Sequence, residues 1–274
     1  MLFEIHDRKK CEIFIYMFNN LKYFTDKIRM NIDKDKMYIQ GMDANHICVY
    51  ELTIQSSWFD TWDVKEAEYY GIHLPIFNKI LNICSNKQTI RIHSESSDNL
   101  HIEYCSEEKG EFNKYLEMSL LDLDIDMLDI PDTEYQVDIE MDSKKFKSVI
   151  DELSNFNDTL NIICDETELV LESKSGEGNM RVVINIDDIE LLAVEEGKHI
   201  EASFGIKYVA QMCQFYKLAQ DCAIYITEDV PLLLKYDIAN DCVMSAVGDL
   251  SAWADSDSDG SIQLQTPLAA TSAT

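Results

Sequence analysis

The stretch EIFIYMFNNLKYF at residues 12–24 is answered, 132 residues later, by KKFKSVIDELSNF at residues 144–156. In the first copy Phe14, Met17, Phe18, Leu21 and Phe24 follow the i, i+3, i+4, i+7 spacing that lines up one apolar stripe on a helix. Adding 132 to each number gives Phe146, Val149, Ile150, Leu153 and Phe156, again all apolar. The offset persists downstream. Met37 and Ile39 map to Leu169 and Leu171, Ile80 to Met212, Ile92 to Ile224, and Leu100, Ile102 and Tyr104 to Leu232, Leu234 and Tyr236. A shared offset across helical and alternating segments implies two equivalent halves, and a period this long signals duplicated domains instead of a solenoid of short repeats.

Each half reads the same way. A helix (7–25, then 142–156) precedes alternating strands such as KMYIQGM and ELVLES. A second helix follows (74–84, then 205–219), and further strands such as QTIRIHS with LHIEY, and CAIYITE with PLLLKYD, close the unit. Alternation at period two marks sheets with one buried face, and helices segregated from antiparallel strands give an α+β class with the helices covering the sheets. The expected division is an N-terminal domain over 1–118, a connector over 119–136, a C-terminal domain over 137–250 and a disordered tail over 251–274. The connector, containing LLDLDIDMLDIPDTEY, mixes acids with apolar residues and carries Pro131, so it reads as an exposed segment with apolar knobs.

Composition narrows the function classes. No run reaches the ~18 apolar residues of a membrane span, and MLFEIHDRKK carries charges too early for a secretory signal. The eight cysteines, at 11, 48, 84, 105, 164, 213, 222 and 242, form no CxxC pair and no metal-spaced cluster with the six histidines. They read as reduced thiols of an intracellular protein, and the sequon at Asn157 as chance. No phosphate-loop, dinucleotide, zinc-protease or nucleophile-elbow motif occurs, so no catalytic residue, metal or cofactor is expected. The acid pair Asp122 and Asp124 could hold a metal, but reads more readily as solvated loop.

The net charge of −28 argues against nucleic acid when taken alone. Its distribution argues the other way. The four expected helices hold ten cations and five acids, a net of +5, which leaves −33 on the remainder. Off the apolar stripes lie Asn19, Lys22, Lys79, Asn82, Lys144, Lys147, Lys207, Gln211 and Gln214, with Asp151 as the acidic exception. If these helices line one concave surface, that surface suits phosphates, and screening over ~8 Å isolates it from the anionic exterior.

GMDANHICVYELTI at 41–54, LLDLDIDMLDIPDTEY at 120–135, FKSVIDELSNFND at 146–158 and DVPLLLKYDIA at 229–239 together resemble the proliferating cell nuclear antigen family of DNA sliding clamps. The resemblance spans about residues 1–245 in consistent order. It implies two tandem processivity-fold domains, helices lining a channel with antiparallel sheets outside, and three subunits closing head to tail into a homotrimeric ring around duplex DNA. It implies DNA-facing lysines at Lys10, Lys22, Lys79, Lys144, Lys147, Lys207 and Lys217. It implies a partner-peptide pocket over Met42, His46, Ile47, Leu128, Ile130, Pro131, Tyr135 and Pro231, and a subunit interface through Tyr115, Glu117, Met180, Val182 and Ile184 on the edges FNKYLEM and NMRVVIN. Implied partners are double-stranded DNA held without sequence readout, a DNA polymerase and other PIP-box-type proteins, and a clamp loader, in replication and repair, in the nucleus or a cytoplasmic viral factory.

Ile15, Asn82, Asp151 and Gln214 stand where the family often carries cations, and Gly248-Asp249-Leu250 replaces its usual Ala-Pro-Lys. The few glycines and many Ile, Asn, Asp and Lys residues hint at an AT-rich genome, such as that of a large DNA virus or a divergent eukaryote. Readings left open are a checkpoint-type heteromeric clamp subunit, a monomeric viral processivity factor, a nuclease built on scattered acids, and an acidic DNA mimic.

Overall fold

The structure is a computed structural model. It describes residues 1–94, 98–123, 127–130, 133–228, 230–238, 241–248, 254–256 and 262–264. The first half runs β1 (Leu2–Ile5), α1 (Arg8–Leu21), β2 (Lys27–Ile32), β3 (Lys36–Met42), β4 (Cys48–Gln55), β5 (Thr61–Asp63), β6 (Glu68–His73), α2 (Leu74–Leu81), β7 (Thr89–His93), β8 (Asn99–Cys105) and β9 (Lys114–Ser119). The second runs β10 (Val137–Asp142), α3 (Ser143–Leu153), β11 (Thr159–Cys164), β12 (Glu168–Lys174), β13 (Asn179–Asn185), β14 (Leu191–Val194), β15 (Ile200–Gly205), α4 (Ile206–Met212), β16 (Asp221–Ile226), β17 (Leu232–Ile238) and β18 (Cys242–Gly248). Even the 3-10 turn after the fourth strand recurs, at Ser56–Trp58 and at Ile186–Asp188.

Strand pairing repeats with the same fidelity. The orders β5-β1-β7-β8-β9 and β4-β3-β2-β6 in the first half become β14-β10-β16-β17-β18 and β13-β12-β11-β15 in the second, each label raised by nine. The offset of 132 carries β2 onto β11, β3 onto β12 and β6 onto β15 residue for residue. At the start of each half it becomes 135: the capping acids are Asp7 and Asp142, and α1 has 14 residues where α3 has 11. The second copy thus lacks three residues, just under one helical turn, inside its first helix. Each cap carboxylate accepts a backbone N–H, Lys10 to Asp7 at 2.9 Å and Lys145 to Asp142 at 2.7 Å, satisfying one of the donors a helix start leaves unpaired.

Two compact units result, Met1–Ala44 with Tyr50–Met127 and Asp237–Met244, and Asn45–Val49 with Leu128–Tyr236 and Ser245–Thr274. In the first, the α1 stripe is fully buried and forms an aromatic chain: Phe14 and Phe18 lie 4.7 Å apart, and Phe18 meets Phe77 of α2 edge-on at 5.0 Å. In the second, Phe146, Ile150 and Leu153 are buried together with Val209, Met212 and Phe215. Beyond 251, strands Ala254–Ser256 and Ile262–Leu264 pair antiparallel, and the rest of the expected disordered tail lies outside the described residues.

The helices end earlier than periodicity predicts. After Leu21 the chain turns through Tyr23 N–H to Asn20 O and Phe24 N–H to Leu21 O, both i−3 bonds that tighten the last turn. Asn155 and Phe156 do the same after Leu153, and Cys213–Phe215 is a separate 3-10 turn after α4. Phe24 stays buried, but Phe156, expected on the α3 stripe, is 39 % exposed. The same tightened turn ends both helices, so the turn alone does not account for the difference in burial.

Burial separates these two phenylalanines energetically. Phe146→Ala is expected to cost about 3–5 kcal/mol as a buried aromatic, whereas Phe156→Ala should stay within about 1 kcal/mol. Urea unfolding followed by probes within the second unit checks the contrast, and equal losses would contradict the placement of Phe156.

Candidate nucleic-acid and partner surfaces

The cations keep their bias within the observed helix bounds. Eight cations and three acids lie in α1 to α4, still a net of +5, although Lys22 caps α1 and Lys217 falls beyond α4. Lys10 turns back onto its own unit, donating to Trp58 O and lying 5.5 Å from the Trp58 ring centroid. Lys79 and Lys144 are exposed. Lys22 sits over Tyr23 at 5.2 Å, Lys207 over Tyr208 at 5.6 Å, and Lys217 over Tyr216 at 5.5 Å. Lys147 pairs with Asp151 one turn along α3 and also approaches Tyr216, at 5.6 Å.

Position 19, opposite 151 in the repeat, does something different. Asn19 and Asn82 exchange two side-chain hydrogen bonds of 2.9 Å, a neutral amide pair joining α1 to α2. The equivalent pair in the second unit is Asp151 and Gln214, and Gln214 Nε2 bonds back to Ala210 O at 2.9 Å. Neither the amide pair nor the stacking of lysines on tyrosines was predicted. Their only sequence sign was a polar residue or a tyrosine beside a lysine off the apolar stripe.

Of the expected pocket residues, Met42 ends β3 in the first unit, and His46, Ile47, Leu128, Ile130, Tyr135 and Pro231 belong to the second. Pro131 lies outside the described residues. His46 is exposed with φ of 58°, a left-handed conformation few non-glycine residues adopt. Pro231 is buried, and Leu128, Ile130 and Tyr135 are half-buried. The Tyr135 ring packs 5.7 Å from that of Tyr225, and burial pushes its phenol up to about 12.

The connector is pinned within each unit. Leu120 N–H donates to Asp98 O and Leu121 N–H to Gly71 O, both at 2.8 Å. A Cβ on Gly71 would stand 2.1 Å from Leu121 O, so only glycine lets the two backbones meet. The isolated glycine inside EYYGIH is the sequence signal for this close approach. At the far end Gln136 N–H donates to Ile226 O at 3.2 Å, and Gln136 O accepts from Glu195 N–H at 2.9 Å.

The expected interface residues lie on two sheet-edge strands. β9 ends one order and β13 ends another. Tyr115 is 70 % exposed, and Glu117 lies 3.8 Å from His101 Nδ1. On β13, Met180, Val182 and Ile184 occupy the half-buried face, and Arg181 and Val183 face outward. All eight cysteines are free thiols. Among the described residues no helix is long and apolar enough to cross a membrane, and no group of three or more His, Cys, Asp or Glu side chains could hold a metal ion.

Comparison with known proteins covers nearly all of residues 2–247. Residues 2–127 match the family description "Proliferating cell nuclear antigen, N-terminal domain", and residues 129–247 match "Proliferating cell nuclear antigen, C-terminal domain". The chain is 27 % identical over 208 residues to the proliferating cell nuclear antigen of Caenorhabditis elegans, covering 74 % of this chain and 79 % of that one. Its fold is similar to the crystal structure of the Entamoeba histolytica protein of that name, with a TM-score of 0.81 at 19 % identity over 90 % of this chain and 97 % of the other. The Thermococcus kodakaraensis protein gives a TM-score of 0.81 at 17 % identity, covering 90 % and 98 %.

Burial of Tyr135 has a pH consequence. The folded state favours the neutral phenol, so its stabilisation is complete below the ordinary tyrosine value of 10 and is lost as pH rises from there to about 12. Tyr135→Phe should therefore lose less stability than the parent across that window in denaturation scans. Equal losses would mean that Tyr135 is not buried.

Proposed function

The chain belongs to the proliferating cell nuclear antigen family, matched along both of its domains, and from that premise we propose that three copies close head to tail into a ring that encircles duplex DNA. As a member of that family it is a sliding clamp and a processivity factor for DNA replication. The finer reading is topological retention. A closed ring cannot leave a duplex sideways, so processivity needs no tight bond, and shallow phosphate contacts permit sliding. The observation that carries this reading is the concentration of net positive charge on the four repeated helices of a chain with a net charge of −28. Each phosphate contact is weakened by salt through counterion release, and the anionic remainder disfavours docking of DNA on other surfaces.

Closure would pair β9 of one subunit with β13 of the next. Both are edge strands without proline, and pairing would remove two exposed edges that otherwise invite aggregation. The connector and the residues around His46, Tyr135 and Pro231 would take an extended segment of a polymerase or another PIP-box-type partner by strand addition and an apolar plug. A clamp loader would open the ring, the site of action in a eukaryotic cell would be the nucleus, and the protein would act without catalysis of its own.

Light scattering of the purified chain should give the mass of three chains, and Tyr115→Glu on the β9 edge should lower it toward one. A single-chain mass for the parent would favour a monomeric or heteromeric processivity factor. Loaded on nicked circular DNA, the protein should co-elute with it and be lost on linearisation. Retention after linearisation, or magnesium-dependent cleavage of the circle, would sink the reading.

A further inference from the structure

The second unit carries a cluster that the first does not. Lys147 of α3 donates to Asp151 one turn on, and its ammonium lies 5.6 Å from the centroid of the Tyr216 ring. Lys217 brings a second ammonium to the same ring, at 5.5 Å. Tyr216 is itself fixed, closing the 3-10 turn with its N–H donating to Cys213 O at 3.2 Å. The Lys147 side chain is only 17 % exposed, whereas Asp151 is 50 % exposed. Moving back by 132 residues gives Ile15, Asn19, Cys84 and Ser85, with no ring, cation or carboxylate among them. The duplication therefore acquired, or kept, this arrangement on one side only.

The electron-rich face of a tyrosine holds a cation without neutralising it. A ring that serves two lysines brings two positive charges close together while supplying no negative charge against a phosphate. A carboxylate does the opposite, occupying the ammonium's hydrogen bonds and cancelling its charge at contact distance. Within this cluster Lys217 is held by the ring, whereas Lys147 is held by both the ring and Asp151, and the net charge of the three ionised groups is +1.

We propose that Tyr216 and Asp151 set how strongly the second unit grips a DNA backbone, Tyr216 as the positioning residue for Lys147 and Lys217, and Asp151 by withholding Lys147 from phosphate. This rests on the reading that the helices face DNA. It goes further by placing a paired lysine contact in the second unit and by naming a built-in restraint on it. Such a restraint suits a sliding protein, because a second phosphate contact per chain would deepen every step along the duplex.

The test uses the full chain and a short linear duplex, with binding followed by fluorescence anisotropy as sodium chloride is varied. Asp151→Asn frees Lys147, so its log-affinity against log-salt line should steepen by about 0.9 for each chain that touches the duplex. That corresponds to a gain of about 3-fold over the parent for each such chain as salt falls from about 200 to about 50 mM. Adding Lys147→Ala to Asp151→Asn should return the line to that of the parent. Tyr216→Phe should keep the parent slope, because the ring remains, and Tyr216→Leu should flatten it. A gain of affinity cannot come from misfolding, so the Asp151→Asn result decides the matter even if Tyr216→Leu fails to fold. An unchanged slope for Asp151→Asn, in a parent that is retained on circular DNA, would overturn this proposal and leave the clamp reading standing. A parent that is not retained on circular DNA would overturn both.

Discussion

Burial of one helical stripe in each half is the constraint from which the rest follows. Phe14, Met17, Phe18 and Leu21 on α1, and Phe146, Ile150 and Leu153 on α3, are all withdrawn from water. A stripe of this kind fixes which side of each helix meets its sheets, and so dictates the opposite side as well. The solvent side carries exposed lysines, Lys22 at the end of α1 and Lys144 on α3, and likewise Lys79 on α2 and Lys207 on α4. Apolar burial thereby sorts the electrostatics. On the helices cations outnumber acids, and the excess acid is left to strands and loops.

Duplication then sets a uniform frame on which the halves have diverged. The pairing orders are the same label for label, which leaves little freedom in the sheets. The helices have more. α3 is three residues shorter than α1, and the surface pairs at equivalent positions differ in kind. Asn82 and Gln214 each donate back to their own helix, at Asn78 O and Ala210 O, but Asn19 and Asn82 also bind each other as neutral amides, whereas Asp151 binds a lysine. Sheet registers are locked by alternation, since a slip of one residue turns every side chain to the wrong face. A solvent-facing helix position carries no such penalty, so charge and hydrogen bonding can change there at little cost to the fold.

The connector shows how a segment with little core of its own is nonetheless held. Its start is fastened by backbone bonds to Asp98 and Gly71, and its end by Gln136 to Ile226 and Glu195. Both anchors use main-chain groups, and each has one partner within a strand, Gly71 of β6 and Ile226 of β16. The apolar knobs between them, Leu128 and Ile130, remain half-buried and need not be committed to the core.

The sequence by itself determined the duplication, the α+β class, the apolar stripes, the strands and the sign of charge on the helices, because each of these is a periodic or additive property readable along one dimension. It also carried the family, through motifs at 41–54 and 120–135. It did not determine where the helices stop. The last turns tighten into 3-10 geometry in both halves, yet Phe24 stays buried while Phe156, equally in phase with the stripe by spacing, is exposed. Nor did it determine the partners of the surface residues. That Gly71 must meet Leu121, that Asn19 must meet Asn82, and that Lys147 and Lys217 share one tyrosine are facts of juxtaposition between segments tens of residues apart, except for the neighbours Tyr216 and Lys217. Periodicity says which side of an element a residue occupies. Only the packing of one element against another decides what stands opposite it.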